Sequence, residues 1–258
     1  MKVYFYTLGC KVNQYESQSL SEKMKQEGFE IVQSDNDADI IVVNSCTVTS
    51  ESDRKTRQAV RRFKKNNPDC CVVLTGCMVQ AFPKEAEKLH EADIVIGNRD
   101  VLKVINAINN YNNNRIFEIN RHQNDDLYNT IGLSSFNERT RAFMKIQDGC
   151  DRFCTYCIIP FARGRVRSRA VADIKAEAER LANNGFCEIV LVGINLTSYG
   201  KGEKFNICDA VDAVCEVDGI KRVRLGSLEP DHITNEMLNR FNAQAKFCPQ
   251  FHLSLHSG

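Results

Sequence analysis

The 258-residue chain is short of several things, and each shortage removes a class of explanation. It has no apolar run near the ~20 residues that a membrane-spanning helix needs. Its first residues, MKVYFYTLGCK, lack the layout of an export signal, because the apolar stretch is short and alternates like a strand. Net charge is only +1, so global electrostatics make no case for a nucleic-acid partner. No second closely spaced cysteine pair stands near its densest cysteine cluster, which argues against a four-ligand structural zinc site.

Cysteine itself is abundant: 12 residues in a chain without an export signal. That combination points to a reducing compartment and to metal ligation rather than disulfides. The length fits one large domain or two ordinary ones, and 43% hydrophobic with 26% charged residues is a globular composition.

The densest cluster is GCDRFCTYCIIP, Gly149 to Pro160, with Cys150, Cys154 and Cys157 in a CxxxCxxC pattern. Three thiolates on one short loop suit an iron–sulfur cluster whose fourth iron stays open to an exchangeable ligand. Ordinary burial is the competing fate of three such thiols, but no packing periodicity explains the spacing. The pattern resembles the signature of the radical S-adenosylmethionine enzymes. The resemblance implies that the open iron chelates S-adenosylmethionine and that one electron splits the sulfonium to a 5′-deoxyadenosyl radical.

In the first half, apolar strands alternate with helical stretches. Strands are predicted at Val3–Leu8, Ile40–Val43, Val72–Leu74 and Ile94–Ile96, and helices at Tyr15–Glu27, Glu51–Asn66, Pro83–His90 and Val101–Asn109. This alternation implies an α/β fold with a flavodoxin-like, doubly wound parallel sheet. Cys10, Cys46 and Cys77 each fall just past the carboxyl end of a strand, and in such a sheet those ends share one edge. The three thiols are therefore expected to converge as a second cluster site, with Gly9 and Gly76 permitting close backbone approach. Cys70 and Cys71 begin a strand on the opposite edge, and Cys71 reads as a buried small side chain.

The segments TLGCKVNQYES, VNSCTVTSESDRKTRQ and LTGCMVQ resemble the amino-terminal domain of the methylthiotransferases, a radical S-adenosylmethionine subgroup. The resemblance implies that Cys10, Cys46 and Cys77 hold an auxiliary 4Fe–4S cluster involved in sulfur insertion. The form GCKVNQYE is most similar to the branch acting on threonylcarbamoyladenosine in tRNA. Implied cofactors are two 4Fe–4S clusters and S-adenosylmethionine. Implied partners are tRNA, a one-electron donor such as flavodoxin or ferredoxin and a sulfur source, in the cytoplasm and without a membrane.

The organisation expected is a domain over 1–110, a linker over 111–140 with one hairpin beginning near Ile116–Ile119, and a second domain over 141–258. That domain reads as an incomplete radical S-adenosylmethionine β/α partial barrel. Its predicted strands are Ala142–Ile146, Glu188–Val192, Val223–Leu225 and Phe251–Leu255, and its predicted helices Val171–Asn183, Ile207–Val217 and Asn235–Phe241. Family barrels have six such units and a further RNA-binding β-domain, the TRAM domain, so the chain is expected to be a fragment of a longer protein.

Tyr156, beside the last cysteine, is the expected contact for the adenine of S-adenosylmethionine, with packing as its alternative role. Asn195, Ser227, Glu229 and His256 lie at strand ends, where they face cofactor or substrate or simply cap short loops. Arg163, Arg165, Arg167 and Arg169 form a basic run after the cysteine loop that suits phosphate contacts, or else a solvated surface. The basic helix bearing Arg54, Lys55, Arg57, Arg61, Arg62, Lys64 and Lys65 divides between the same readings. Cys187, Cys208 and Cys215 read as core, and Cys248 has no assigned role. Two other substrates within the family are isopentenyladenosine in tRNA and an aspartate of a ribosomal protein. Outside the family, a non-catalytic iron–sulfur electron carrier is the alternative.

Overall fold

The structure, a computed structural model, describes residues 1–129, 131–134 and 140–254. The chain divides into two compact units: Met1–Asn124 with Arg152–Gly164, and Asp125–Asp151 with Arg165–Gly258.

In the first unit the strands are β1 (Lys2–Thr7), β2 (Glu30–Ile31), β3 (Ile40–Ser45), β4 (Cys71–Gly76), β5 (Ile94–Ile96) and β6 (Ile116–Glu118). Every pairing is parallel, in the order β2-β1-β3-β4-β5-β6. β3 and β4 are buried at every position, as parallel strands covered on both faces must be. Side chains alternate between two cores. Ile41, Val43, Val72 and Leu74 pack with Val60 and Phe63 on one face, while Ile40, Val42 and Val73 pack with Leu20, Met24 and Ile105 on the other. Each such aliphatic side chain contributes ~1.5–3 kcal/mol by leaving water.

The helices are α1 (Lys11–Gln26), α2 (Ser50–Asn66), α3 (Cys77–Ala81), α4 (Pro83–Glu87), α5 (Lys103–Asn109) and, after the excursion into the other unit, α6 (Ile159–Arg163). Thr49 caps α2 by accepting from the Ser52 amide at 3.2 Å. The flavodoxin-like order is as expected, with two additions. β2 is too short to show in the sequence pattern. Ile116–Glu118 forms no hairpin: it pairs with β5 as a sixth parallel strand, so the expected linker contributes its first part to the sheet. A three-residue strand gains its stability from a neighbour, which periodicity does not report.

The second unit holds a three-stranded parallel sheet, β11 (Arg222–Leu225)–β10 (Glu188–Val192)–β7 (Ala142–Lys145). A short antiparallel pair joins β8 (Gln147–Asp148) to β9 (Arg167–Ser168), and β12 (Ser227–Leu228) pairs in parallel with β13 (His252–Leu253). α7 (Val171–Asn183), α8 (Ile207–Cys215) and α9 (Asn235–Ala243) complete the βα units. Asn206 and Asp209 form a reciprocal cap at the start of α8. Cys208 and Cys215 are buried on α8, as its pattern predicts, and burial pushes both thiols up to about 11. His256 lies outside the described residues.

Candidate functional site

The parallel register brings three strand ends level. Thr7 of β1 pairs with Asn44 of β3, and Asn44 with Thr75 of β4. The chain leaves each strand through a tight turn, and the turns carry Cys10, Cys46 and Cys77. Gly9 has φ +108°, and a Cβ there would stand 2.7 Å from Cys46 Cβ and 2.9 Å from its sulfur. Gly76 has φ +99°, and a Cβ there would press on the Ser45 carbonyl at 2.4 Å. Both positions need a residue without a side chain. Cys10 then caps α1 and Cys77 opens α3.

At the centre lies Asn13, fully buried. Its Nδ2 donates to the carbonyls of Leu8 at 3.0 Å and Ser45 at 2.9 Å. With both donors used on backbone oxygens, Oδ1 faces the sulfurs, 3.6 Å from Cys10 Sγ and 4.0 Å from Cys77 Sγ. Asn44 Nδ2 reaches back to the Asn13 carbonyl at 3.1 Å and to Ser17 Oγ at 2.9 Å. The sequence pattern did not single out Asn13 or Asn44; a buried amide at a strand end is visible only once its carbonyl partners are known.

Burial pushes the Cys77 thiol up to about 12, although the Arg163 guanidinium pulls the other way. Cys46 is buried and Cys10 exposed, so the group has one open side. Among the described residues no three His, Cys, Asp or Glu side chains stand as the ligand set of a single metal ion. A multi-iron cluster makes a different demand, because each thiolate binds its own iron and the ligands stand apart by the width of the inorganic core. Three thiols around one amide, with two glycines clearing the backbone, fit such a group with one iron lacking a protein thiolate.

The CxxxCxxC loop is divided between the two units: Cys150 falls in the second, Cys154 and Cys157 in the first. Cys154 and Cys157 form one turn, the Cys157 amide donating to the Cys154 carbonyl at 2.9 Å. Phe153 sits at φ +48°, a left-handed conformation unusual for a bulky residue, and meets Phe161 edge-on at 5.9 Å. Tyr156 is 71% exposed.

Within the second unit, Asn195 follows β10 and is buried, its Nδ2 3.8 Å from Cys150 Sγ. Gln147 holds the approach to the loop. Its Nε2 donates to the carbonyls of Asp148 and Gly149, both at 2.7 Å, and its Oε1 accepts from the Asn195 amide at 2.7 Å. Sequence reasoning missed Gln147, which follows the apolar run Ala142–Ile146 and lies in a two-residue strand with no pattern of its own. Ser227 is exposed, 3.4 Å from His252 Nδ1, and Glu229 is half-buried on the next loop. Burial alone would raise the Asp151 carboxyl, but Lys201 at 2.8 Å, the Val166 amide and Arg165 hold it below its ordinary value.

The arginine run requires a correction. Arg163 is 1% exposed, and its guanidinium grips Glu16, Asn13 and Cys77. Arg169 is also buried and pairs with buried Glu177 at 2.7 Å, while Arg167 lies 3.3 Å from Asp148. Arg165 is half-exposed beside Asp151 at 3.8 Å. Three of the four are thus committed to carboxylates inside their units, because a buried cation needs a partner. On α2, Arg54 and Lys55 meet Glu51, Arg61 meets Glu91 and Lys64 meets Asp93, the pattern of a paired surface helix.

Comparison with known proteins adds independent findings. Residues 144–258 match the family model for the Radical SAM superfamily, and residues 2–97 match the one described as "Uncharacterized protein family UPF0004". A Threonylcarbamoyladenosine tRNA methylthiotransferase MtaB from Aquifex aeolicus is 38% identical, the match covering 100% of this chain and 63% of that protein. Its namesake from Bacillus subtilis is 38% identical over 99% of this chain and 58% of its own length. A tRNA-2-methylthio-N(6)-dimethylallyladenosine synthase from Finegoldia magna is 31% identical over 98% of this chain and 56% of its own. The chain therefore spans about three-fifths of the length of the curated relatives it matches. Among solved structures, the radical S-adenosylmethionine methyltransferase TsrM from Kitasatospora setae shares the fold with TM-score 0.62 and 13% identity, covering 95% of this chain and 57% of that one.

Proposed function

We propose that this chain, which belongs to the methylthiotransferase family of radical S-adenosylmethionine enzymes, forms the cluster-bearing part of an enzyme that methylthiolates C2 of N6-threonylcarbamoyladenosine at position 37 of tRNA. The observation that carries this reading is the convergence of Cys10, Cys46 and Cys77 about Asn13, in a chain that also bears CxxxCxxC. One thiol triad would suffice for a radical generator. A second, on a different sheet edge, is what sulfur insertion requires.

Cys150, Cys154 and Cys157 would hold the cluster that binds S-adenosylmethionine, and Cys10, Cys46 and Cys77 the auxiliary cluster. When bound, these groups supply one-electron cleavage of the sulfonium, hydrogen abstraction and the sulfur atom. The protein's own part is positional. Asn195 and Gln147 orient the loop at Cys150, Tyr156 offers a ring to the adenine, and Asn13 fixes the auxiliary turns. Ser227 and Glu229 would meet cofactor or substrate at the strand ends, and of the arginine run the half-exposed Arg165 would serve as the RNA contact. The reading implies tRNA, a one-electron donor and a sulfur source as partners in the cytoplasm. Among the described residues no helix is long and apolar enough to cross a membrane.

The Finegoldia magna relative motivates a second substrate, isopentenyladenosine in tRNA. Mass spectrometry of tRNA nucleosides from cells lacking the gene, with and without complementation, separates the two. Loss of methylthio-threonylcarbamoyladenosine is expected. Loss of methylthio-isopentenyladenosine instead would reassign the branch, and an unchanged nucleoside profile would reject both.

A further inference from the structure

Arg163 is the largest side chain among those fully buried, and it ends the short helix that carries the chain away from Cys157. Its planar fork holds three residues. Nη1 and Nη2 clasp the Glu16 carboxylate from both sides, with Nη2 at 2.9 Å from Oε2, and Nη2 also donates to Asn13 Oδ1 at 2.8 Å. The N–H on Nε points at Cys77 Sγ at 3.2 Å. All four residues lie in the first unit, where α6 packs against α3, the helix that Cys77 opens.

This arrangement is more specific than charge neutralisation. Glu16 alone would be satisfied by a lysine, a point charge with no fixed fork. A guanidinium held on two sides by Glu16 and Asn13 has its third edge aimed in one direction, and that direction is the sulfur. Arg163 and Cys77 are both buried.

We propose that Arg163 is a positioning residue for the auxiliary centre: its Nε–H bond to the Cys77 sulfur raises the reduction potential of the cluster that Cys10, Cys46 and Cys77 would hold. Donation to a ligand thiolate stabilises the more negatively charged, reduced state, and hydrogen bonds to cluster sulfurs are a general determinant of potential. The same bond ties the helix following Cys157 to the auxiliary turns. The inference rests on the two-cluster reading above and adds a role for a residue that the basic run had assigned to RNA.

The test uses the chain with Cys150, Cys154 and Cys157 replaced by Ala, reconstituted anaerobically with iron and sulfide so that the auxiliary cluster is the one observed. Its midpoint potential is read by titration followed by electron paramagnetic resonance. R163M is expected to shift the midpoint to a more negative value, and R163K to fall between R163M and the parent. E16Q/R163M removes both charges together, so a more negative midpoint there reports the lost sulfur bond rather than a lone Glu16 carboxylate. Superimposable titrations for all variants would overturn the proposal. So would loss of iron from every variant, since Arg163 would then be a structural support only. A parent that binds no auxiliary cluster would remove the two-cluster reading itself, a different failure from variants that keep the cluster and its potential.

Discussion

Asn13 Nδ2 donates to the Ser45 carbonyl at 2.9 Å, and this bond joins the turn bearing Cys10 to the turn bearing Cys46. Its second donor holds the Leu8 carbonyl, and its oxygen faces two thiols and Arg163. One carboxamide thus sets the spacing of turns that come from three strands.

Replacing Asn13 with Ala should therefore strand two backbone carbonyls and one guanidinium N–H. Each unsatisfied buried group costs about 1–3 kcal/mol, and the total should fall near the upper end of that range because water can enter beside exposed Cys10. Urea denaturation measures the loss, and iron counting should show weakened retention at the auxiliary site. Wild-type iron retention in N13A would remove Asn13 from the site.

The two cysteine sets should separate functionally. The reconstituted chain should carry about eight irons in two 4Fe–4S clusters. Replacing Cys150, Cys154 and Cys157 with Ala should abolish S-adenosylmethionine cleavage. Replacing Cys10, Cys46 and Cys77 should spare cleavage, read as 5′-deoxyadenosine, while stopping methylthiolation in the full-length enzyme. Unchanged thiolation would dispose of the sulfur-insertion role.

Gly9→Ala places a Cβ against Cys46 at a φ of +108°. The left-handed conformation alone costs roughly 1–2 kcal/mol for a residue with a side chain. The variant should melt earlier and lose auxiliary iron first, with the cluster at Cys150, Cys154 and Cys157 retained.

Arg169 and Arg165 should part company although they stand four apart in one basic run. Arg169→Ala leaves Glu177 buried without its cation and should cost about 3–5 kcal/mol of stability. Arg165→Ala, at a half-exposed position, should change stability by no more than ~0.5 kcal/mol. Filter binding to tRNA then tests the RNA role: R165A should weaken it, more so at low salt. Equal tRNA binding by R165A and the parent would leave the run without an RNA contact.

Stability toward acid should depend on Glu188. Burial alone would raise its carboxyl, but Arg222 at 2.6 Å and Arg224 at 2.9 Å hold it below its ordinary value. A carboxyl depressed in the folded state takes up protons first in the unfolded chain as pH falls. Its contribution is therefore present above the ordinary glutamate value of about 4.3 and is lost as pH drops below it. E188Q should flatten the stability–pH curve in that interval and lower stability at neutral pH; an acid limb identical to the parent's would count against the pair.

The cluster chemistry was legible from residue order alone because its determinants are local. CxxxCxxC lies within eight residues, and the strand-end positions of Cys10, Cys46 and Cys77 follow from apolar runs that period and length identify. The parallel sheet was legible for the same reason, since Ile40–Val43 can only be a strand covered on both faces. The fate of the arginines was not. Whether a guanidinium meets solvent or a carboxylate depends on which distant residue the fold delivers to it, and Glu16 lies 147 positions from Arg163. Likewise β6 exists through its pairing with β5, and Asn13 and Gln147 matter through carbonyls on other turns. Local spacing dictates which atoms can ligate a cluster. Packing across the chain dictates which polar groups are buried beside it, because a buried polar group is stable only where the fold supplies its partner.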